Sequence, residues 1–290
     1  MTANTKAALF MMASMAAFTL NDACVKLAGG DLPLFQLITL RGILASLLIY
    51  LLARYMNALR FRMNRADAML VATRAAMEAA ATYFFLTALM NMPLANVTAV
   101  LQVLPLTVTL GAALVFGEQV GWRRMLAIAM GFCGMLLIVR PGPDGFNLFA
   151  AYALAAVLCV TIRDLVTRRI SNAVPSLTVT LISSLAVLSF GAIAATGDTW
   201  VALDVPVALL LVAAAVFIIG GYVFSILVMR AGEVSFSAPF RYTGLGWALV
   251  LGWLVFGDWP DQITLLGAAI VVASGLFALY RERVKGQGAG

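Results

Sequence analysis

The sequence predicts an all-α polytopic membrane protein whose ten transmembrane helices form two inverted five-helix repeats. Three observations carry that fold class. The 290-residue chain is 63% hydrophobic and only 11% charged, against about 45–50% and about 25% in soluble domains, and its mean hydropathy is +1.01. Apolar runs long enough to cross a bilayer recur from end to end, too many for a buried soluble core. The lysines and arginines gather in alternate connections, as orientation signals do.

Glycines, prolines and charged clusters divide the chain into spans at about 6–28, 33–54, 66–90, 93–117, 122–140, 147–168, 175–197, 206–230, 234–257 and 260–281. Each holds roughly 19–25 residues, enough for a helix to cross an apolar core of about 30 Å. The first span begins at Lys6 and ends before Gly29 and Gly30. Its apolar run is longer than a signal-peptide core, and Asp22 precedes Cys24 where a lipoprotein site takes small neutral residues. Pro33, Pro93, Pro175, Pro206 and Pro260 open the second, fourth, seventh, eighth and tenth spans, positions where proline removes no intrahelical hydrogen bond. Arg65 precedes the third span, Arg123 and Arg124 sit in the first turn of the fifth, and Arg168 and Arg169 close the sixth. Pro105 and Pro239 fall inside the fourth and ninth spans, where they free backbone carbonyls that a lined cavity can tolerate. Gly131, Gly134, Gly267 and Gly275 give the fifth and tenth spans small-residue surfaces for close packing.

With the N-terminus in the cytoplasm, thirteen of the nineteen basic residues fall inside, including Arg54, Arg60, Arg62, Arg230, Arg281, Arg283 and Lys285, and only Arg140 falls outside. That bias supports ten spans in the inner (cytoplasmic) membrane with both termini cytoplasmic. It also accounts for the net charge of +6 without a nucleic-acid partner. The three cysteines, Cys24, Cys133 and Cys159, lie in apolar segments with neither metal-ligand nor disulfide spacing; no metal and no cofactor is expected.

The second half echoes the first. "LVFGEQVGW" at 114–122 matches "LVFGDWPDQ" at 254–262, "GMLLIV" from Gly134 resembles "GLFALY" from Gly275, and Asp22 and Lys26 align with Asp164 and Arg168. Three echoes in one order at nearly constant offset indicate duplication, with repeats at 1–143 and 144–285 and a short tail at 286–290. Five spans per repeat is an odd number, so the halves are inverted, an arrangement of secondary transporters with the site near the midplane.

The runs "PLANVTAVLQVLPLTVTLGAALVFGE", "GFCGMLLIVRPG" and "FRYTGLGWALVLGWLVFGDWPD" resemble the drug/metabolite transporter superfamily, specifically its EamA-type ten-helix members. The resemblance covers essentially the whole chain and implies transport. It leaves the substrate open, since similar chains move amino acids, nucleosides, riboflavin, S-adenosylmethionine and other metabolites, some inward and some outward. Lys26 fits the position of the relatives' first-helix basic residue. The tryptophan that many carry ahead of it is missing, and Phe18 and Asn21–Asp22 occupy that region.

Eight ionisable residues lie within the spans: Asp22, Lys26, Arg41, Arg74, Glu78, Arg163, Asp164 and Arg241. A charge at the bilayer centre costs about 2.5–3.5 kcal/mol on the lenient scale, so these groups face a cavity, pair, or reach the interface. By helical rise Asp22 and Arg41 lie at comparable depth below the outer surface and are within pairing range. The gate expectation is that Asp22, Lys26 and Arg41 close the outer mouth, and Arg163, Asp164 and Arg168 the inner one; the alternative is ordinary helix-end pairs. Glu78 is near the midplane, and Arg74, Glu78, Thr82 and Phe85 share one helix face. In a chain without histidine, Glu78 and then Asp22 are the candidate proton-coupling groups, a permanent Arg74–Glu78 pair being the alternative.

The intramembrane charges carry a surplus of two positives, which favours a ligand bearing carboxylate or phosphate. Arg74, Glu78, Tyr83, Gln102, Tyr222, Arg241 and Tyr242 are the candidate substrate contacts. The expected function is secondary transport of a small anionic or zwitterionic metabolite by alternating access, with the lipid bilayer as environment, as a monomer or homodimer. The alternatives are an exporter of cationic or amphiphilic compounds and a non-transport membrane protein. The missing histidine excludes zincin and Ser–His chemistry, and no phosphate-binding loop is present, so no catalytic residue is expected.

Overall fold

The computed structural model describes residues 2–118, 120–140, 148–231 and 234–287, with 226, 229–231, 234–235 and 282–287 described as backbone only. The expected repeat boundary at 143/144 and the side chains of Arg230, Arg283 and Lys285 lie outside these described parts.

Among the described residues the chain is all helical. The helices are α1 (Ala3–Ala28), α2 (Leu34–Tyr55), α3 (Arg65–Asn91), α4 (Leu94–Leu101), α5 (Leu104–Phe116), α6 (Trp122–Val139), α7 (Leu148–Thr167), α8 (Ser176–Ala194), α9 (Val205–Ala231), α10 (Val234–Ser237), α11 (Thr243–Phe256) and α12 (Gln262–Gln287). They begin and end within a few residues of the apolar segments, α12 running on past its segment. Thr2 caps α1 through the Thr5 N–H at 3.2 Å, and Asn64 caps α3 through the Asp67 N–H at 2.7 Å. Pro33, Pro93 and Pro175 occupy the N-cap positions of α2, α4 and α8.

Among the described residues eight helical stretches are long and apolar enough to cross a membrane, with α4 and α5 forming one of them. α3 is not among them because Arg74 and Glu78 interrupt its apolar run. α11 is not, because its 14 residues are too few by themselves. Large apolar side chains such as Leu114, Val205, Leu209 and Leu254 are exposed on the outside of the bundle, where lipid replaces water as the medium they meet. Trp122, Trp200 and Trp259, also exposed, stand at helix ends or in the connections, as interfacial tryptophans do.

Both broken helices are interrupted next to a proline. Pro105 stands at the start of α5 and has no N–H to continue the ladder across Gln102 and Val103,. Pro239 lies in a 3₁₀ turn, Ala238–Tyr242, between α10 and α11. The two breaks touch, since Gln102 Nε2 donates to the Tyr242 carbonyl at 3.4 Å. The two stretches end alike, on Gly117 with φ 68° and Gly257 with φ 69°, a left-handed conformation that glycine adopts without a Cβ clash.

The principal pairings are α1 on α9, α3 on α7, α2 on α8 and α6 on α12, with α4 meeting α11 between them. One apolar core joins α4 to α7 with α11 and α12, and a second joins α1, α2, α3 and α9. Ser14 fixes α1 to α9 by donating to the Gly221 carbonyl at 2.8 Å, and Ser46 bonds Ser184 at 2.8 Å between α2 and α8. α6 and α12 cross with bare backbone in contact. A Cβ added at Gly134 would come within 2.8 Å of the Gly267 carbonyl, and one at Gly267 within 2.6 Å of the Gly134 carbonyl.

Candidate functional site

Where α2, α3, α8 and α9 converge, they leave a cavity of about 570 Å³ including its open mouth. α2 contributes Arg41 with the apolar Ile38, Ala45 and Ile49; α3 contributes Arg74, Glu78 and Thr82. Thr180, Ser183 and Ser184 come from α8 and Tyr222 from α9. The 3.6-residue period turns Arg74, Glu78 and Thr82 to one face, as the spacing demands. Phe85, expected on the same face, packs into the apolar cores instead.

α7 supplies the group that completes the charge cluster. Arg163 donates to both oxygens of Glu78, at 3.1 and 3.2 Å, and from Nε to Asp164 at 2.9 Å. Arg74 reaches Glu78 at 3.8 Å, Thr167 through Nε at 3.0 Å, and the Ser183 hydroxyl. It therefore ties α3 to both α7 and α8. Asp22 on α1 accepts from Asn21 Nδ2 at 2.9 Å and lies in the field of Arg41. Arg41 Nε is buried with no hydrogen-bond partner among the described residues. Phe18 packs edge-on against Tyr222 with ring centroids 5.5 Å apart.

A second space of about 700 Å³ opens beside the α7–α8 connection, lined by Thr167, Ser171, Asn172 and Ser176 among others. It shares Arg74 and Thr180 with the first cavity, so these two residues border both spaces.

The structure gathers some of the sequence candidates and separates others. Arg74, Glu78 and Tyr222 line the cavity. Arg163 and Asp164 stand with Glu78 rather than apart at a helix end, and Arg41 lines the cavity near Asp22. Tyr83 belongs to an aromatic group with Phe35, Phe84, Tyr152 and Phe190, ring centroids 5.4–6.1 Å apart. Gln102 and Tyr242 meet at the helix breaks, with Tyr242 packed under Gly275. Arg241 is exposed on the same turn and lines neither space. Arg168 pairs with Glu118 at 3.3 Å near the surface. Ser183, Ser184 and Thr167 were not picked out in the sequence; a hydroxyl pair inside an otherwise apolar α8 was the available signal.

Lys26 and Asp22 do not pair. Lys26 Nζ donates to the Leu89 and Met92 carbonyls, each at 2.6 Å, and stands 5.5 Å from the Phe256 ring centroid. It caps the C-terminal end of α3, where carbonyls lack intrahelical donors and the helix dipole favours a cation. Lys26→Met is expected to lower stability by about 1–3 kcal/mol, the range for losing hydrogen bonds from a charged donor. A thermal unfolding midpoint equal to wild type would remove this role.

The EamA-like transporter family matches residues 5–140, which run from α1 to the end of α6. A riboflavin transporter of Rhizobium johnstonii is 29% identical over 212 residues, covering 72% of this chain and 70% of the relative. An S-adenosylmethionine uptake transporter of Rickettsia bellii is 24% identical over 196 residues, 66% of this chain and 65% of the relative. The pseudopaline exporter CntI of Pseudomonas aeruginosa is 27% identical over 287 residues, 94% of this chain and 96% of the relative. A solved crystal structure superposes with a TM-score of 0.68 at 18% identity, covering 95% of this chain and 97% of that one, a likeness of fold alone. With its first five apolar segments matched by that family and transporter relatives aligned along most of its length, this chain is similar to the EamA-like transporters.

Proposed function

We propose that this chain is a secondary active transporter that moves a small anionic or zwitterionic metabolite across the inner membrane by alternating access between two inverted five-helix repeats. The observation that carries the reading is the cavity between α2, α3, α8 and α9, walled by Arg41, Arg74 and Glu78 from the first half of the chain and by the Ser183, Ser184 and Tyr222 hydroxyls from the second, with Arg163 of the second half paired to Glu78.

The pairing of the helices supports the repeats at 1–143 and 144–285, with 286–290 a tail. Exchanging the halves turns the α1–α9 contact into α7–α3, and α1–α11 into α7–α5. It maps α2–α8 and α6–α12 onto themselves. The matched left-handed glycines that end α5 and α11 obey the same exchange. The thirteen-to-one distribution of basic residues supports ten spans with both termini cytoplasmic,. In that orientation the α7–α8 connection is cytoplasmic, and the second space is an inner vestibule that Arg74 borders together with the substrate cavity. Arg74 with Glu78, Arg163 and Asp164 then forms the inner closure, with Arg168–Glu118 at its rim. Asp22 and Arg41 line the outer approach, which the Phe35–Tyr83–Phe190 aromatic group narrows. Lys26 braces that end of α3. Glu78 and Asp22 are the proposed proton-coupling groups, and the active unit is a monomer or homodimer.

The test is uptake by the purified chain in proteoliposomes under an imposed pH gradient, using a labelled panel of organic anions, zwitterions and quaternary-ammonium cations. Saturable accumulation of anions or zwitterions is the expected result. Accumulation of cations alone would replace this reading with that of a cation exporter.

A further inference from the structure

The three arginines around the cavity differ in what they already hold. Arg163 spends its donors on Glu78 and Asp164. Arg74 spends its own on Thr167, Ser183 and Glu78. Arg41 lines the same cavity, yet its buried Nε has no partner among the described residues. Asp22 is close enough for the Arg41 charge to act on it, but among the described ion pairs the two close no contact within 4.0 Å. A buried guanidinium donor without a partner is costly, and a carboxylate presents the two oxygens that fit its planar fork.

The charge balance narrows the ligand further. Lys26 and Arg241, which gave the sequence its positive surplus, lie away from the cavity: Lys26 holds α3 carbonyls and Arg241 is exposed. What remains is Arg41, Arg74 and Glu78 on the cavity wall, with Arg163 and Asp164 joined to them through Glu78 and Asp22 in the field of Arg41, a set that is neutral as a whole. A ligand with a bare carboxylate would leave such a set with a net negative charge in a low-dielectric wall, whereas one that brings its own cation would not. The apolar strip of Ile38, Ala45, Ile49, Val187 and Ile218 can take a hydrophobic side chain.

Resting on the transport reading above, we infer that Arg41, and neither Arg74 nor Arg163, takes the carboxylate of a zwitterionic substrate, with Asp22 and Glu78 as the acids available to its cationic group. Arg41 is thereby the residue that sets selectivity for the carboxylate.

The experiment measures binding and counterflow by the full chain in detergent and in proteoliposomes, with the free α-amino acids from alanine to tryptophan and their carboxamides as probes. Wild type is expected to bind and exchange at least one free amino acid and to bind its carboxamide at least tenfold more weakly. Arg41→Gln is expected to weaken the free acid by tenfold or more while leaving the carboxamide's weak binding unchanged. Arg41→Lys, which keeps the charge without the fork, is expected to fall between. An unliganded melting temperature equal to that of the remote Arg123→Gln control shows that the fold is intact; if Arg41→Gln unfolds, the Arg41→Lys comparison decides. Equal affinity for acid and carboxamide in wild type, or undiminished acid affinity in the Arg41 variants, overturns the inference. Exchange of a panel compound by wild type in that case leaves the transport reading standing. If no amino acid binds but an organic anion is accumulated, the zwitterion inference falls alone; if only cations are accumulated, both fall.

Discussion

Glu78→Gln is expected to abolish pH-driven accumulation, to leave substrate exchange partly intact, and to destabilise the chain by about 3 kcal/mol. The stability loss follows from the contacts. Both Glu78 oxygens accept from Arg163, and Arg74 stands 3.8 Å away. Gln keeps the shape but loses the charge and turns an amide N–H₂ toward one of the guanidinium groups. Removing one partner of a buried ion pair costs about 3–5 kcal/mol because the other charge is left uncompensated. The lower end applies, since Glu78 and Arg163 keep 22% and 23% of their side-chain surface exposed, which screens the loss. The transport effect follows from protonation, because Gln cannot release a proton when the arginines move or a ligand competes for them. Thermal unfolding in detergent and paired measurements of gradient-driven uptake and counterflow separate the two. Glu78→Leu combined with Arg163→Met is expected to recover much of the stability without recovering accumulation. Unchanged accumulation in Glu78→Gln would remove it as the coupling group and leave Asp22.

Gly134→Leu is expected to destabilise by a similar or larger amount through geometry alone. The first atom of any side chain there would lie 2.8 Å from the Gly267 carbonyl and 2.9 Å from the Ile270 side chain. Rotamer changes can move the isoleucine but not the carbonyl of a helix whose ladder fixes it. Overpacking of this kind costs about 1–3 kcal/mol and more when backbone must shift. Because α6 pairs with α12, the contact also joins the two halves, so loss of a single sharp species on size exclusion should accompany the lower melting temperature. Leu136→Ala, on an exposed position of the same helix, is the control and should change little.

Hydropathy and punctuation made the helices legible, since each apolar segment closes on a cap, a glycine or a proline whose effect is local. The shared face of Arg74, Glu78 and Thr82 was legible for the same reason, being set by the period of one helix. What could not be read were choices made between helices. Whether Glu78 takes Arg74 or Arg163 depends on α7 packing against α3, and the better geometry of Arg163 left Arg74 free to reach Thr167 and Ser183. Lys26 is four residues from Asp22, a spacing that invites a pair, yet two bare carbonyls at the end of α3 offer it shorter contacts. Arg241 counts as intramembrane along the sequence, but the break at Pro239 turns it outward. The charge surplus disappeared with these last two residues, and the expected ligand class narrowed accordingly.

The meeting of the two interrupted helices has a mechanical consequence. A continuous helix resists bending because each residue is held in the ladder of the next turn, whereas α4–α5 and α10–α11 are each already open at one point, and those points are in contact. Relative rotation of the two halves about that contact would strain few additional hydrogen bonds, while the same rotation about the α6–α12 crossing would drive backbone into backbone. The bundle is thus loosest where Gln102 meets Tyr242 and tightest where Gly134 meets Gly267, and each interrupted stretch runs on from its break to a left-handed glycine, Gly117 or Gly257.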